Sequence, residues 1–248
     1  MCTLILLRRP GHDWPVIVGA NRDEMMARPW QPPGRHWPDR PEVVAGLDEL
    51  AGGSWLGIND HGVVAGILNR HGSLGPAAGQ RSRGELVLEA LDHADAADAA
   101  AAIAAIDPSA YRTFNLILAD SRDAFWLKHA DESGAVPVAV RPIGPGLSMI
   151  ASGEIDDPDL PRLARFRPRF AAAPPPDPAR GDWAAWEALL SEDGGGMERS
   201  LRFTADRGFA TVSSALIGIP THDKPELKPH FRFRGYHPVE TPWTELPL

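Results

Sequence analysis

Cys2 is the one cysteine among 248 residues, and it stands directly behind Met1. A small second residue lets an initiator methionine be removed. The new first residue then carries a thiol and an α-amine whose reference pKa is about 8. Nucleophile and base on one residue make the amino-terminal form of an activated nucleophile. A lone cysteine is equally a small buried hydrophobe, so the reading depends on what the chain brings beside it. Asn21-Arg22-Asp23-Glu24 places four polar residues at the end of an apolar run. They form a solvated turn, since Asn and Asp favour turns, or they sit beside the thiol. In the second case Asp23 orients an α-ammonium and Arg22 lowers the thiol pKa. Asn69-Arg70 ends another apolar run. An amide there can donate to a developing oxyanion, or it simply begins the turn through His71-Gly72. Asn115, inside the apolar run 114–118, must find a partner, structural or functional. Gly52-Gly53-Ser54-Trp55 offers backbone freedom and an aromatic wall. Arg162, Arg165, Arg167 and Arg169 read as a solvated helix face, with an anionic ligand as the other option.

Several classes of chemistry are disfavoured. The nine histidines show neither HExxH nor any CxxC partner, so no metal site is expected. Covalent haem attachment lacks its CxxCH. The glycine clusters lack the order of a nucleotide loop. A net charge of −8 argues against nucleic acid as a partner. No apolar run reaches the ~20 residues of an integral membrane segment. Residues 3–7 are too short for a signal peptide before Arg8-Arg9-Pro10. One cysteine allows no internal disulfide, and a cytoplasmic protein is expected. Homo-oligomerisation is left open.

The elements that must position these residues follow from periodicity and turns. Runs 3–7 and 15–20 predict a hairpin that starts with Cys2 and places Asn21 just past its second strand. Five prolines and two tryptophans in 27–42 predict a long ordered loop or lid without regular structure. Runs 54–59 and 62–68 make the clearest hairpin. Ser82 with Glu85 predicts a capping box ahead of a helix carrying Leu86, Val87, Ala90, Leu91 and Ala94. An alanine-rich helix spans 95–106. Four strands follow, at 113–119, 124–128, 137–141 and 147–151. Helices are expected over 159–170 and after Asp182, the latter with Trp183, Trp186, Leu189 and Leu190 on one face and a stop at Gly194-Gly195-Gly196. Runs 208–219 and 231–236 close the chain. Strands grouped by turns rather than alternating with helices predict an α+β fold. The layering is an αββα sandwich of two mainly antiparallel sheets between helical layers, in one domain covering 1–248.

Met1-Cys2-Thr3, Asn21-Arg22-Asp23-Glu24, Gly53-Ser54-Trp55-Leu56-Gly57 and Asn69-Arg70 occur in the order and rough spacing of a known family. The chain resembles the NRDE family, bacterial relatives of transport and Golgi organisation proteins, most strongly over 1–120. That family is similar to the N-terminal nucleophile (Ntn) hydrolase superfold, which includes choloylglycine and penicillin V acylases. The resemblance implies Cys2 as nucleophile, Asp23 as the aspartate that positions the amine and Asn69 as the oxyanion asparagine. The acylases' arginine falls on Ala20, with Arg22 nearby. Their second asparagine falls on Ser152-Gly153, which removes that donor, and their late arginine falls near Val212. The implied activity is amidohydrolysis of a small acylated substrate, with Asn21, Arg70 and the walls Trp30, Trp37 and Trp55 as substrate contacts and no required cofactor. The alternative implied by the family is a carrier of haem or an acyl-CoA-like lipid.

Overall fold

The computed structural model describes residues 2–205 and 207–248. In chain order it contains β1 (Thr3–Arg8), β2 (Val16–Met25), β3 (Trp30–Gly34), β4 (Val43–Asp48), β5 (Leu56–Asn59) and β6 (Val64–Asn69). Helices α1 (Gly84–Leu91) and α2 (Ala96–Ala104) lead to β7 (Phe114–Ala119), β8 (Ala124–His129), β9 (Ala139–Pro142) and β10 (Gly146–Ile150). Then come α3 (Pro161–Ala172), α4 (Ala184–Leu190), α5 (Gly196–Arg199), β11 (Phe209–Ile219), β12 (His230–Gly235) and β13 (Thr244–Glu245). The fold class is α+β, with two antiparallel sheets ordered β10-β1-β2-β11-β12-β13 and β3-β4-β5-β6-β7-β8-β9. They belong to two compact units, one formed by residues up to Arg28 together with Pro145–Leu248, the other by Pro29–Gly144.

In the first unit, alternation along the strands sends Ile5, Ile17, Met149 and Leu216 into one core with Leu163, Phe166 and Phe170 of α3 and Trp186 and Leu190 of α4. Gly19 lies under α4 because a Cβ there would come 3.2 Å from the Trp186 ring. β2 is longer than expected. The NRDE residues were expected just past its end, yet they occupy its second half, paired with β11 from Phe209 to Ile219. That partner lies almost two hundred residues away, so local periodicity carries no trace of it. The helix after Asp182 is capped at Trp183, with the Asp182 carboxylate accepting only from the Ala184 N–H at 3.3 Å. It ends at Leu190, before the expected stop at Gly194-Gly195-Gly196, and that triple glycine instead leads into the short α5.

In the second unit, α1 and α2 cover one face of the seven-stranded sheet. Leu86, Val87, Leu91, Ala99 and Ile103 pack there on Val43, Ala45, Ala65, Phe114 and Leu116. The stretch 27–42, expected to lack regular structure, contains β3 and leads into β4. Pro32 and Pro33 are tolerated because β3 is an edge strand whose pairing to β4 is irregular between Gln31 and Gly34. The expected capping box does not form: α1 is capped at Arg83, and Glu85 pairs with Arg81 instead. α2 has a true cap, the Asp95 carboxylate accepting from the Asp98 N–H at 2.8 Å. Gly53 marks a backbone crossing. The Ser54 N–H donates to the Gly84 carbonyl at 3.0 Å, and a Cβ at Gly53 would sit 2.7 Å from that oxygen. Backbone cannot yield as a side chain does, so Gly53→Ala is expected to cost about 1–3 kcal/mol, read as a lower urea midpoint at unchanged slope.

Candidate active site

Cys2 precedes β1, and the register Thr3↔Asn21 continues to set it opposite Arg22. The thiol is partly buried. Its Sγ donates to the Asp23 carbonyl at 3.6 Å and accepts from the Asp23 N–H at 3.4 Å. Burial first, and the Asp23 carboxylate second, push the thiol pKa above its ordinary value. This is opposite to the expectation that Arg22 lowers it: burial and the Asp23 carboxylate set the direction. Arg22 itself is buried on the Cys2 side of β2.

Asp23 points the other way, as its odd position along the strand requires. Its Oδ2 accepts from Arg162 Nη1 at 2.9 Å, and its Oδ1 from the Thr211 hydroxyl at 2.7 Å. Arg162 also donates to Thr3 Oγ1 at 2.8 Å and, through Nη2, to the Met197 carbonyl at 2.5 Å. The side chains of the pair are 4% and 0% exposed. A charge pair so deep persists only when hydrogen bonds satisfy both ends. Here β1, β2, β11, α3 and the α5 backbone all contribute.

The expectation that the arginines of α3 form one solvated face is corrected. Arg165 and Arg169 bind Glu192, and Arg167 binds Asp156, near the surface. Arg162, by contrast, shares the buried stripe of Leu163, Phe166 and Phe170. Its position on that apolar stripe was the available signal, and counting basic residues hid it.

Asn21 was expected to meet substrate. Instead its amide donates to the Leu190 and Leu201 carbonyls at 3.0 and 2.8 Å, and its oxygen accepts from Ser214 at 2.6 Å. Both amide hydrogens are spent inside the protein, tying β2 to the end of α4 and to the segment after α5.

The other predicted residues lie in the second unit. Asn69 ends β6 opposite Phe114, at the register position of the helix-covered face. Arg70 donates to Asn115 Oδ1 at 2.8 Å, and Trp126 Nε1 donates to the same oxygen at 3.1 Å. Asn115 thus finds structural partners. Trp30 and Trp55 meet edge to face, ring centroids 5.9 Å apart, and a Cβ at Gly46 would overlap the Trp55 indole. Trp37 is separate from them: it packs on the helix-side core and donates to the Gly52 carbonyl at 2.9 Å. The three tryptophans therefore do not form one wall. Among the described residues, no group of three or more His, Cys, Asp or Glu could hold a metal ion. No helix of the described residues is long and apolar enough to cross a membrane.

A family profile described as Transport and Golgi organisation 2 matches residues 1–174. The chain belongs to the Transport and Golgi organisation 2 family. The family's homolog from Bos taurus is 37% identical over 110 residues, and that from Homo sapiens 34% over 110 residues. Each match covers 42% of this chain and 38% of the relative, so the chain spans well under half the length of the curated family members it matches. Among solved structures, penicillin V acylase from Agrobacterium tumefaciens superposes with a TM-score of 0.58 at 14% identity, covering 99% of this chain and 86% of that one. An N-acylethanolamine-hydrolyzing acid amidase ortholog from Caenorhabditis elegans gives 0.56 at 13%, covering 87% and 92%. A conjugated bile acid hydrolase from Clostridium perfringens gives 0.55 at 11%, covering 99% and 92%. At such identities the likeness establishes the fold, that of the Ntn hydrolases, for this family member.

Proposed function

We propose that this protein is a thiol amidohydrolase of the Ntn type, acting on a small acylated substrate through an amide or thioester. The observation that carries the reading is the seat of Cys2. Its sulfur is docked on the Asp23 backbone, while the Asp23 carboxylate is held rigid from behind by Arg162 and Thr211. The fold shared with two acylamide hydrolases and a penicillin acylase supports the same class of reaction.

The reading requires Cys2 to become the amino terminus, and Met1 lies outside the described residues. In the trimmed chain the Cys2 amine takes the thiol proton as sulfur bonds the substrate carbonyl carbon. The tetrahedral intermediate then collapses, and the ammonium returns its proton to the departing amine. That leaves an acyl thioester on Cys2. Water attacks it, the amine again accepts and then returns a proton, and the acid departs with the thiol restored. A carboxylate has four acceptor sites, so Asp23 can orient the ammonium while Arg162 and Thr211 hold it. A free thiol nucleophile suits a reducing compartment such as the cytoplasm.

Intact mass and thiol kinetics test this together. The expected product in a bacterial host lacks the initiator methionine and takes up one acyl group from an activated ester at Cys2. The two forms also differ in pH profile. With Met1 present, alkylation by iodoacetamide is expected to keep rising beyond pH 9.0, the ordinary thiol value, because burial and Asp23 disfavour the thiolate. With Met1 removed, the α-ammonium of Cys2 itself favours thiolate, and the profile should level at lower pH. A retained methionine with a thiol that never acylates would sink the enzyme reading.

The second reading is that the chain carries haem or an acyl-CoA-like lipid as cargo without reacting; the raised thiol pKa is consistent with an unreactive sulfur.

A further inference from the structure

Beyond the thiol and its aspartate, the structure assigns a donor. We propose that the Ser152 hydroxyl donates a hydrogen bond to the carbonyl oxygen of the acyl group that Cys2 attacks, a role that rests on the amidohydrolase reading. β1 and β10 pair with Leu4 opposite Ile150 and Ile5 opposite Met149. The paired register runs as far as Leu4 and Ile150, and Cys2 and Ser152 each lie two residues beyond it, at the same end of the strand pair. A carbonyl whose carbon approaches the sulfur there can turn its oxygen toward the hydroxyl.

Three observations mark Ser152 as more than a turn residue. It is only 2% exposed. Its Oγ is buried and has no hydrogen-bond partner among the described residues. Buried hydroxyls are nearly always paired, and one left unpaired is a candidate for a group that a ligand completes. Finally, the backbone that carries it is fixed. The Asp156 N–H donates to the Met149 carbonyl at 2.8 Å, and Asp156 Oδ1 accepts from the Met149 N–H and from Arg167 Nε, each at 2.7 Å. Gly153 continues the turn where a Cβ would come 2.9 Å from Leu160. A donor held in place before the reaction begins is what stabilises a developing oxyanion most. The resemblance places the acylases' Thr/Ser-Asn pair on Ser152-Gly153, so the amide is lost at Gly153 and the hydroxyl beside it remains as the available donor.

The test compares two reactions at the same sulfur in the purified full-length protein. Acylation by p-nitrophenyl acetate passes through a tetrahedral oxyanion, whereas alkylation by iodoacetamide displaces iodide and forms none. Ser152→Ala is expected to slow acylation by about 10²-fold while leaving alkylation within about twofold, and Ser152→Thr is expected to restore most of the loss. Because the variant removes only an unpartnered oxygen, its melting temperature should not fall. If it nevertheless fails to fold, Ser152→Gly carries the same comparison. An unchanged ratio of acylation to alkylation in a folded, hydroxyl-free variant overturns the role of Ser152 and leaves the amidohydrolase reading intact. A wild-type Cys2 that alkylates but never acylates overturns both.

Discussion

Replacing Arg162 by Met is expected to lower the stability of the protein by about 3–5 kcal/mol. Methionine keeps most of the buried stem, so the loss is one of charge and hydrogen bonds rather than of volume. What remains is the Asp23 carboxylate, its side chain 0% exposed, still accepting from Thr211 but without its buried cation. Thr3 Oγ1 and the Met197 carbonyl lose their donor in the same step. Each orphaned group adds desolvation cost that the folded state cannot recover. Urea unfolding of Arg162→Met, Asp23→Asn and the double variant separates the pair from its surroundings. The double variant should be less destabilised than the two single losses added together, because neither charge is then left alone. A loss below about 1 kcal/mol for Arg162→Met would mean that the pair behaves as a surface bridge, against the burial seen here.

Cys2→Ala is expected to abolish acyl-enzyme formation, with turnover of an acylated amide falling on the order of 10⁴–10⁶-fold, as when other covalent nucleophiles are removed. Stability should hardly change, since the sulfur makes two long contacts to the Asp23 backbone and nothing stronger. The split between large kinetic and small thermodynamic effects is the signature of a nucleophile. A core-filling cysteine would show the reverse, a stability loss with no activity to lose. The cargo reading also parts company here: saturable haem or acyl-CoA binding that survives Cys2→Ala, with no turnover in wild type, would favour it. Equal turnover in both proteins would remove Cys2 from the chemistry altogether.

How far the sequence reached depends on which interactions were local. The hairpin of β1 and β2 was legible from two apolar runs and a turn, and it set Asp23 beside Cys2. The second half of β2 was not, because polar residues continue as strand only when a remote partner such as β11 pairs with them. Proline spelled loop at Pro32 and Pro33, yet an edge strand has one side where a missing N–H costs nothing. Arg162 was grouped with its neighbours by composition, although its place on the stripe of Phe166 and Phe170 separates it from them. Asn21 and Asp23 looked alike as polar residues of one motif. Only the side chains opposite reveal that one amide braces the fold and one carboxylate backs the thiol. Trp37 was counted with Trp30 and Trp55 because aromatic residues carry no label for the face they will cover.

The division of the first unit across the ends of the chain has a consequence for biosynthesis. On a ribosome, β1 and β2 emerge first, and then wait while Pro29–Gly144 is made. That inserted segment holds every strand of its own sheet and can close its core while still tethered. The thiol and the aspartate cannot be completed so early. Asp23 meets Thr211 across 188 residues, and Arg162 across 139. Pairings at such separation form slowly and late. The nascent chain therefore carries Cys2 and Asp23 before Arg162, which pairs with Asp23, or Thr211 of β11, which donates to it, has been translated. Nascent polypeptides stalled before and after β11 should differ sharply in how fast Cys2 is alkylated, giving the birth of the site a place in time.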